Sequence, residues 1–367
     1  MRLSFFLPAL HGGGAERVTL TIADALAERG HRVELVLADR RGELSADVPG
    51  SITVTDLGRA RVSSAVLPLR RHLRRFRPDV VISGIFHANL AAIAATRGLH
   101  LPLLVIEHNT MSAKVAAASS WRDRAAPAAC AVAYRRADAV AAVSQGVADD
   151  LARRLRLPRR RIRVLPNPVD YAAVRRLAAQ PARDWGSDGI GVLAVGRLTA
   201  QKDFATLLRA VAIVPTARLL VLGEGEERAR LGALADELGV ADRVELAGFE
   251  PNPYRWFARA DVIALSSRWE GLPTVLLEAL PFPARIVATD CRSGPREILD
   301  DGRWGRLVPV GDAAALAAAI TAAAAEPEAE RDQAWRGYDR SAVVTRYERL
   351  LAELAAGSAP APSGVSG

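Results

Sequence analysis

The chain has 367 residues, half of them hydrophobic and a quarter charged, enough for two domains of ordinary size and too apolar for its bulk to be disordered. Two cysteines, Cys130 and Cys291, stand far apart with no CxxC pair, which excludes a disulfide scaffold or thiolate metal site and leaves two buried free thiols. The net charge of +8 is concentrated in arginine, at Arg70, Arg71, Arg74, Arg75 and Arg77 and again across 153–163, so anionic surfaces are natural partners; with only 5% aromatic residues, a nucleic-acid stacking platform is disfavoured.

In chain order, residues 3–7 read as a buried strand running into His11-Gly12-Gly13-Gly14. The apolar stretch is too short for a leader and lacks an A-x-A-like cleavage site, which points to a cytoplasmic protein. A helix over 16–29 ends at Gly30, and strands follow at 32–38, 80–83, 103–107 and 139–144, each with a loop and a helical stretch behind it. This α/β domain is expected to span 1–165. A junction at 164–170 carries two prolines, as a stiff linker would. The pattern then restarts, with strands at 191–196, 217–222, 244–247, 261–266, 286–289 and 306–308 and helices at 204–213 and 226–238, for a second domain over 166–335. A C-terminal helix is expected over 336–356, packing back toward the first domain, before a disordered tail at 357–367. No run reaches the roughly 18 apolar residues that cross a bilayer.

Ligands of two such domains sit at the carboxyl ends of the strands, so the loops there are the candidates. The first glycine loop lacks the third glycine of a dinucleotide fingerprint, where Arg17 stands instead. Its glycines, Gly13 and Gly14 included, still let a ligand approach the backbone at a helix N-terminus. Gly223-Glu224-Gly225 reads mainly as a turn. At the head of the second domain, Gly196-Arg197 and Lys202 emerge from a strand end. Arg197 can grip two phosphate oxygens while Lys202, one of two lysines in the chain, supplies a point charge. Further on, Glu270 falls in a loop and Glu278 in a helix started by Pro273, with the backbone of Gly271, Leu272, Pro273, Thr274 and Val275 between them. Carboxylates beside an anion site make sense as acceptors for sugar and ribose hydroxyls.

The E-x(7)-E spacing of Glu270 and Glu278 resembles the signature of the retaining glycosyltransferases of family 4. The other pieces occur in order: Gly13–Arg17, Asn167–Asp170, Val195–Leu198, Gly223–Gly225, Ala288–Asp290 and Ser293–Glu297. The resemblance implies an α/β fold of two facing Rossmann-like domains with parallel sheets, the B-type glycosyltransferase architecture. It implies no cofactor, a nucleotide-sugar substrate (UDP in the family's commonest usage), and a glycan or lipid-linked acceptor in polysaccharide assembly. It gives Arg197 and Lys202 the donor diphosphate, Glu270 the sugar hydroxyls and Glu278 the ribose, places the 12–14 loop over the ligands, and puts His108 near the reacting sugar. His87 and Asn89 are weaker candidates for acceptor contacts. The chain departs from the family pattern at 280–285, where Pro281 replaces a glycine-containing turn.

No D-x-D motif occurs, so fixed cations rather than a divalent metal are expected to stabilise the leaving group. The arginine-rich helix at 67–77 would suit the anionic inner face of the cell membrane as a peripheral contact. Two alternatives use the same fold: a nucleotide-sugar epimerase, and a non-catalytic scaffold with a degenerate cleft.

Overall fold

The structure, a computed structural model, describes residues 1–11, 13–112, 130–182, 189–327, 331 and 333–357. Gly12, Lys114 and the tail 358–367, expected to be disordered, lie outside the described residues. The chain forms two compact units, one of Met1–Pro168 with the helix that begins at Arg340, the other of Val169–Asp339.

In the first unit, β1 (Arg2–Leu7), β2 (Arg32–Leu37), β3 (Thr53–Asp56), β4 (Val80–Gly84), β5 (Leu103–Glu107), β6 (Ala139–Ala142) and β7 (Ile162–Val164) form one sheet in the order 3-2-1-4-5-6-7. Every pairing is parallel. Helices α1 (Gly14–Glu28), α2 (Val66–Phe76), α3 (Phe86–Thr96) and α4 (Gln145–Leu155) belong to the same unit. The central strands are buried along nearly their whole length, which is why they read as unbroken apolar runs. Edge strands β3 and β7 are half-exposed, and the sequence alone does not announce them.

Several buried polar groups in this unit are paired. On β2, Glu34 accepts from Ser4 Oγ of β1 (2.7 Å) and meets Nε2 of His72 on α2 (3.0 Å). That pins α2 while Leu69 and Leu73 fill the space beneath it. Ser144 Oγ caps α4 by accepting from the Val147 amide (3.1 Å). The C-terminal helix Arg340–Gly357 buries Val343, Val344, Tyr347, Leu350 and Leu351. It is clasped to α1 by Arg340, which reaches Asp24 (3.2 Å) and Glu28 (2.8 Å), and Arg29 just past α1 reaches Glu348 (2.6 Å). Burial tends to raise the Glu348 pKa, but the hydrogen bonds from His31 and Arg29 outweigh it and hold the carboxyl below its ordinary range. The expected 336–356 helix is thus two pieces. Arg336–Tyr338 is a separate 3₁₀ turn, Asp339 breaks out at ψ 137°, and the long helix continues through Gly357, one residue into the expected tail.

The second unit carries β8 (Ile190–Val195), β9 (Ala217–Leu222), β10 (Val244–Gly248), β11 (Val262–Leu265), β12 (Arg285–Thr289) and β13 (Arg306–Val308) in the order 10-9-8-11-12-13, again all parallel. Its helices are α5 (Tyr171–Ala178), α6 (Phe204–Ile213), α7 (Arg228–Glu237), α8 (Tyr254–Phe257), α9 (Thr274–Ala279), α10 (Pro295–Ile298) and α11 (Ala313–Ala324). One core joins α6, α7 and α11 to the strands through residues such as Leu208, Val211, Leu231, Leu316 and Ile320. Val169 bridges Asp339 in parallel, with its amide on the Tyr338 carbonyl (2.9 Å). The two-proline junction is not an exposed linker, because Leu165, Asn167 and Val169 are buried. Both expected cysteines are free and buried.

In each sheet the strand order reverses once, between β1 and β4 and between β8 and β11. Loops leaving the carboxyl ends of two neighbouring strands diverge there, and the crevice they leave is where ligands bind in such sheets. Replacing Leu208, fully buried in the second core, with alanine is expected to cost about 2–5 kcal/mol. The same change at Leu67, 63% exposed on α2, should stay within about 0.5 kcal/mol. Thermal unfolding of the two variants checks both.

Candidate active site

The reversal in the second unit places the loop after β8, residues 196–203, beside the loop after β11, residues 266–273. Backbone contacts zip them together, since the Arg268 amide donates to the Gln201 carbonyl (2.8 Å) and Ser266 Oγ donates to the Lys202 carbonyl (2.7 Å). Arg268 also reaches the buried carboxylate of Asp203 (3.0 Å).

Between the loops Lys202 Nζ donates to Glu270 Oε1 at 2.6 Å, with side chains only 18% and 7% exposed. Ser267 Oγ donates to the same oxygen (2.7 Å). Gln201 Nε2 is held by the Trp269 carbonyl (2.9 Å) and lies 3.4 Å from Oε2. Thus the structure brings together two residues that sequence reading assigned separately, one to phosphate and one to sugar. Arg197 is exposed at the mouth of the same loop, and no ion pair engages it among the described residues. Cys291 lies close enough for Glu270 to act on it: burial, then that negative charge, pushes its thiol up to about 12, so it stays protonated and unreactive.

Pro273 proves to be the N-cap rather than the first helical residue, and α9 is a six-residue helix ending at Ala279 before Pro281. A helix so short has little macrodipole, so any contribution from 271–275 to an anion is local. Leu272, Pro273 and Val275 turn buried side chains to the core and leave only backbone for a ligand, while Thr274 is half-buried. Ser293 Oγ ties the loop down at the Gly271 carbonyl (2.9 Å). Glu278 has a partner of its own, Tyr254 OH (3.2 Å).

Gly223 and Gly225, read from sequence as a turn, do more. A Cβ on Gly223 would lie 2.0 Å from the Gly196 carbonyl oxygen, and one on Gly225 would lie 2.3 Å from that of Leu198. Their backbone packs flat against the 196–198 loop, where the Leu198 amide meets the Glu224 carbonyl (2.9 Å). Only glycine allows that approach, and Gly223 also needs φ +148°. The cue in the sequence was the pair of glycines around one residue just after a strand.

The first unit has a matching crevice. Gly13 caps α1 in extended conformation and Gly14 is its first helical residue. Glu16 folds back over that end, since a Cβ on Gly13 would lie 2.1 Å from Glu16 Oε2. His108, half-buried after β5, seats its Nε2 against Gly84 at the end of β4; a Cβ there would be 3.2 Å from it and 3.6 Å from Thr19 Oγ1 of α1. The next residue, Ile85, has φ 75°, a left-handed backbone that a β-branched side chain resists at a cost of about 1–3 kcal/mol. His87 is exposed in the first turn of α3. Asn89 is not an acceptor contact. It is fully buried, and its amide donates to the Ile106 carbonyl (2.9 Å), to Glu107 Oε1 (3.0 Å) and to Tyr134 OH (3.2 Å). Burial, and then the charge of Glu107, lifts the Tyr134 hydroxyl well above its ordinary range, so it serves as a proton donor to Glu107.

The sequence pattern described as Glycosyltransferase Family 4 matches residues 12–173, and that of Glycosyl transferases group 1 matches 180–340. The lipopolysaccharide core biosynthesis glycosyltransferase LpsE of Rhizobium meliloti is 30% identical over 355 residues, covering 93% of this chain and 96% of the relative. The chain belongs to glycosyltransferase family 4. A second relative of this glycosyltransferase is the Campylobacter jejuni enzyme named N-acetylgalactosamine-N,N'-diacetylbacillosaminyl-diphospho-undecaprenol 4-alpha-N-acetylgalactosaminyltransferase, 28% identical over 320 residues, with 84% of this chain and 86% of the relative covered. Among solved structures, Anabaena HepE in complex with UDP and glucose superposes with a TM-score of 0.79 at 20% identity over 96% of this chain and 99% of that one. The last likeness establishes the fold, two α/β domains with parallel sheets as in solved B-type glycosyltransferases.

In this glycosyltransferase the 223–225 turn is a wall of the 196–203 loop. Gly223→Ala should therefore destabilise the chain by more than about 1 kcal/mol. Gly232→Ala, in the middle of α7 with open space around it, should be stabilising by about 0.5–1 kcal/mol. Melting temperatures moving in opposite directions would bear this out.

Proposed function

We propose that this glycosyltransferase moves a sugar from a UDP-sugar to a growing glycan or lipid-linked acceptor in cell-surface polysaccharide assembly. It does so with retention of anomeric configuration, without a metal ion, at the cytoplasmic face of the membrane. The observation that carries the donor side is the Lys202–Glu270 pair between the loops of the second unit's strand reversal, with Arg197 at their mouth. The Arg197 guanidinium suits two diphosphate oxygens, and Lys202 adds positive potential where the leaving group's charge grows. Glu270 accepts from hydroxyls of the donor sugar, Glu278 from the ribose, and the backbone of 271–275 lies along the phosphate or sugar. In the first unit Gly13, Gly14 and His108 are the ligand-contact candidates, and His87 is the remaining candidate for acceptor contact. The names of the relatives, one in lipopolysaccharide core biosynthesis and one acting on a diphospho-undecaprenol, support the acceptor class. The UDP bound by the similar fold supports the donor base.

The step we favour is a front-face substitution. The acceptor oxygen bonds to the anomeric carbon on the face from which the diphosphate departs, the carbon–oxygen bond to the diphosphate breaks, and the acceptor proton passes to the departing oxygen. Fixed cations stabilise that charge with no reorganisation at the moment of reaction.

A panel of UDP-, GDP- and ADP-sugars in EDTA tests this directly. Turnover should persist with a UDP-sugar, and Arg197→Ala should lower kcat by about 100- to 1000-fold. A strict need for added divalent ion, or near-normal turnover of the variant, would sink the mechanism.

Membrane contact is assigned to α2. Leu67, Arg71, Arg74 and Arg75 are exposed at helical spacing on this helix, with Arg77 just beyond its end. Arg70 does not belong to the set, because its guanidinium is tied to the Ala95 and Arg97 carbonyls. Among the described residues no helix is long and apolar enough to cross a bilayer. Replacing Arg71, Arg74 and Arg75 with alanine should weaken binding to phosphatidylglycerol vesicles by about a hundredfold at low salt. Binding that ignores both the substitutions and the salt would remove α2 from the interface.

A further inference from the structure

Glu270 receives more hydrogen bonds than an ion pair needs. Its Oε1 takes both Lys202 Nζ (2.6 Å) and Ser267 Oγ (2.7 Å), which occupies the two lone pairs of that oxygen. Its Oε2 has one long contact, Gln201 Nε2 at 3.4 Å, and that amide is anchored by the Trp269 carbonyl at 2.9 Å. If charge balance alone were at stake, Lys202 would suffice. The neutral donors fix something else, the rotation of the carboxylate plane. With two short bonds on one oxygen the carboxylate cannot turn, and Oε2 is the oxygen with acceptor capacity left. Ser267 is itself fixed, being fully buried with its carbonyl accepting from Thr289 Oγ1 (2.6 Å). Gln201 is half-buried and swings on a single anchor, so it can yield its place at Oε2 to a hydroxyl.

We infer that Ser267 and Gln201 are positioning residues that aim Oε2 of Glu270 and so set which hydroxyl of the donor sugar, and hence which sugar, the site accepts. The inference rests on the reading of this unit as the donor site. Neither residue touches the diphosphate in that reading, so their loss should be felt by the sugar and not by the nucleotide. Ser267→Ala frees the carboxylate to rotate. Gln201→Leu removes the donor at Oε2 and keeps the size of the side chain. Discrimination between sugars that differ in the direction of one hydroxyl should suffer most, since only the aim of one acceptor tells them apart.

Calorimetric titration of the full chain with UDP, UDP-glucose, UDP-galactose and UDP-N-acetylglucosamine reads this out. For Ser267→Ala and Gln201→Leu we expect UDP affinity within about twofold of the parent. The gain in affinity that the preferred sugar adds over UDP should fall by about tenfold, the worth of one hydrogen bond to a charged group. Ser267→Thr, which keeps the hydroxyl, should restore it. Variants that keep the parent's full preference overturn the inference while leaving the donor reading intact, as do variants that lose UDP and every UDP-sugar in equal measure, which marks a merely structural role. A parent chain that binds none of the four ligands overturns the donor reading and takes the inference with it.

Discussion

A carboxylate almost removed from water has to be compensated, and in the second unit that carboxylate is Glu270. An uncompensated buried charge costs several kcal/mol, so the loop after β8 and the loop after β11 cannot separate without stranding both Glu270 and Lys202. Much else in the unit serves that closure. Ser266 holds the backbone of Lys202, Arg268 holds Asp203, Thr289 holds the backbone of Ser267, and Ser293 holds Gly271. The strand order puts β8 beside β11, which sets the two loops in reach before any side chain chooses a partner. The ion pair is therefore a clasp between the two loops.

The first unit reaches a comparable end by different means. Among the described residues its crevice has no buried ion pair of that kind holding the loops; an unusual backbone and a missing side chain shape it instead. Gly84 leaves room for the His108 ring, and Ile85 is held left-handed just beyond. Behind His108 the preceding residue, Glu107, is locked by Asn89 and Tyr134 in a fully buried cluster. A histidine on such a base has little freedom to wander.

Legibility followed burial. Strands such as β1, β4 and β9, covered on both faces, show themselves as continuous apolar runs, and the restart of the pattern after the junction at 164–170 exposes the two units. The edge strands of the first sheet do not, because Thr53–Asp56 and Ile162–Val164 mix polar and apolar residues over three or four positions. At the candidate site, residue types and positions single out Glu270, Lys202 and Arg197, and the family resemblance adds His108. What they cannot show is who bonds to whom, since Lys202 and Glu270 stand 68 positions apart and their pairing is created by strand order. The same limit explains Asn89 and the 223–225 glycines. A polar residue beside a surface histidine looks solvent-facing until Glu107 and Tyr134 are seen beneath it, and a glycine looks like a turn until the opposing backbone is in place.

The parallel bridge between Val169 and Asp339 has a consequence for descent as well as for shape. The second unit is inserted into the first, and its two crossing points are neighbours joined by a hydrogen bond from the Val169 amide to the Tyr338 carbonyl. A cassette bounded in this way can be swapped between genes by recombination at two sites, with one sheet left whole on either side. Its host keeps a complete seven-stranded sheet and its own C-terminal helix, and the cassette carries a complete six-stranded sheet.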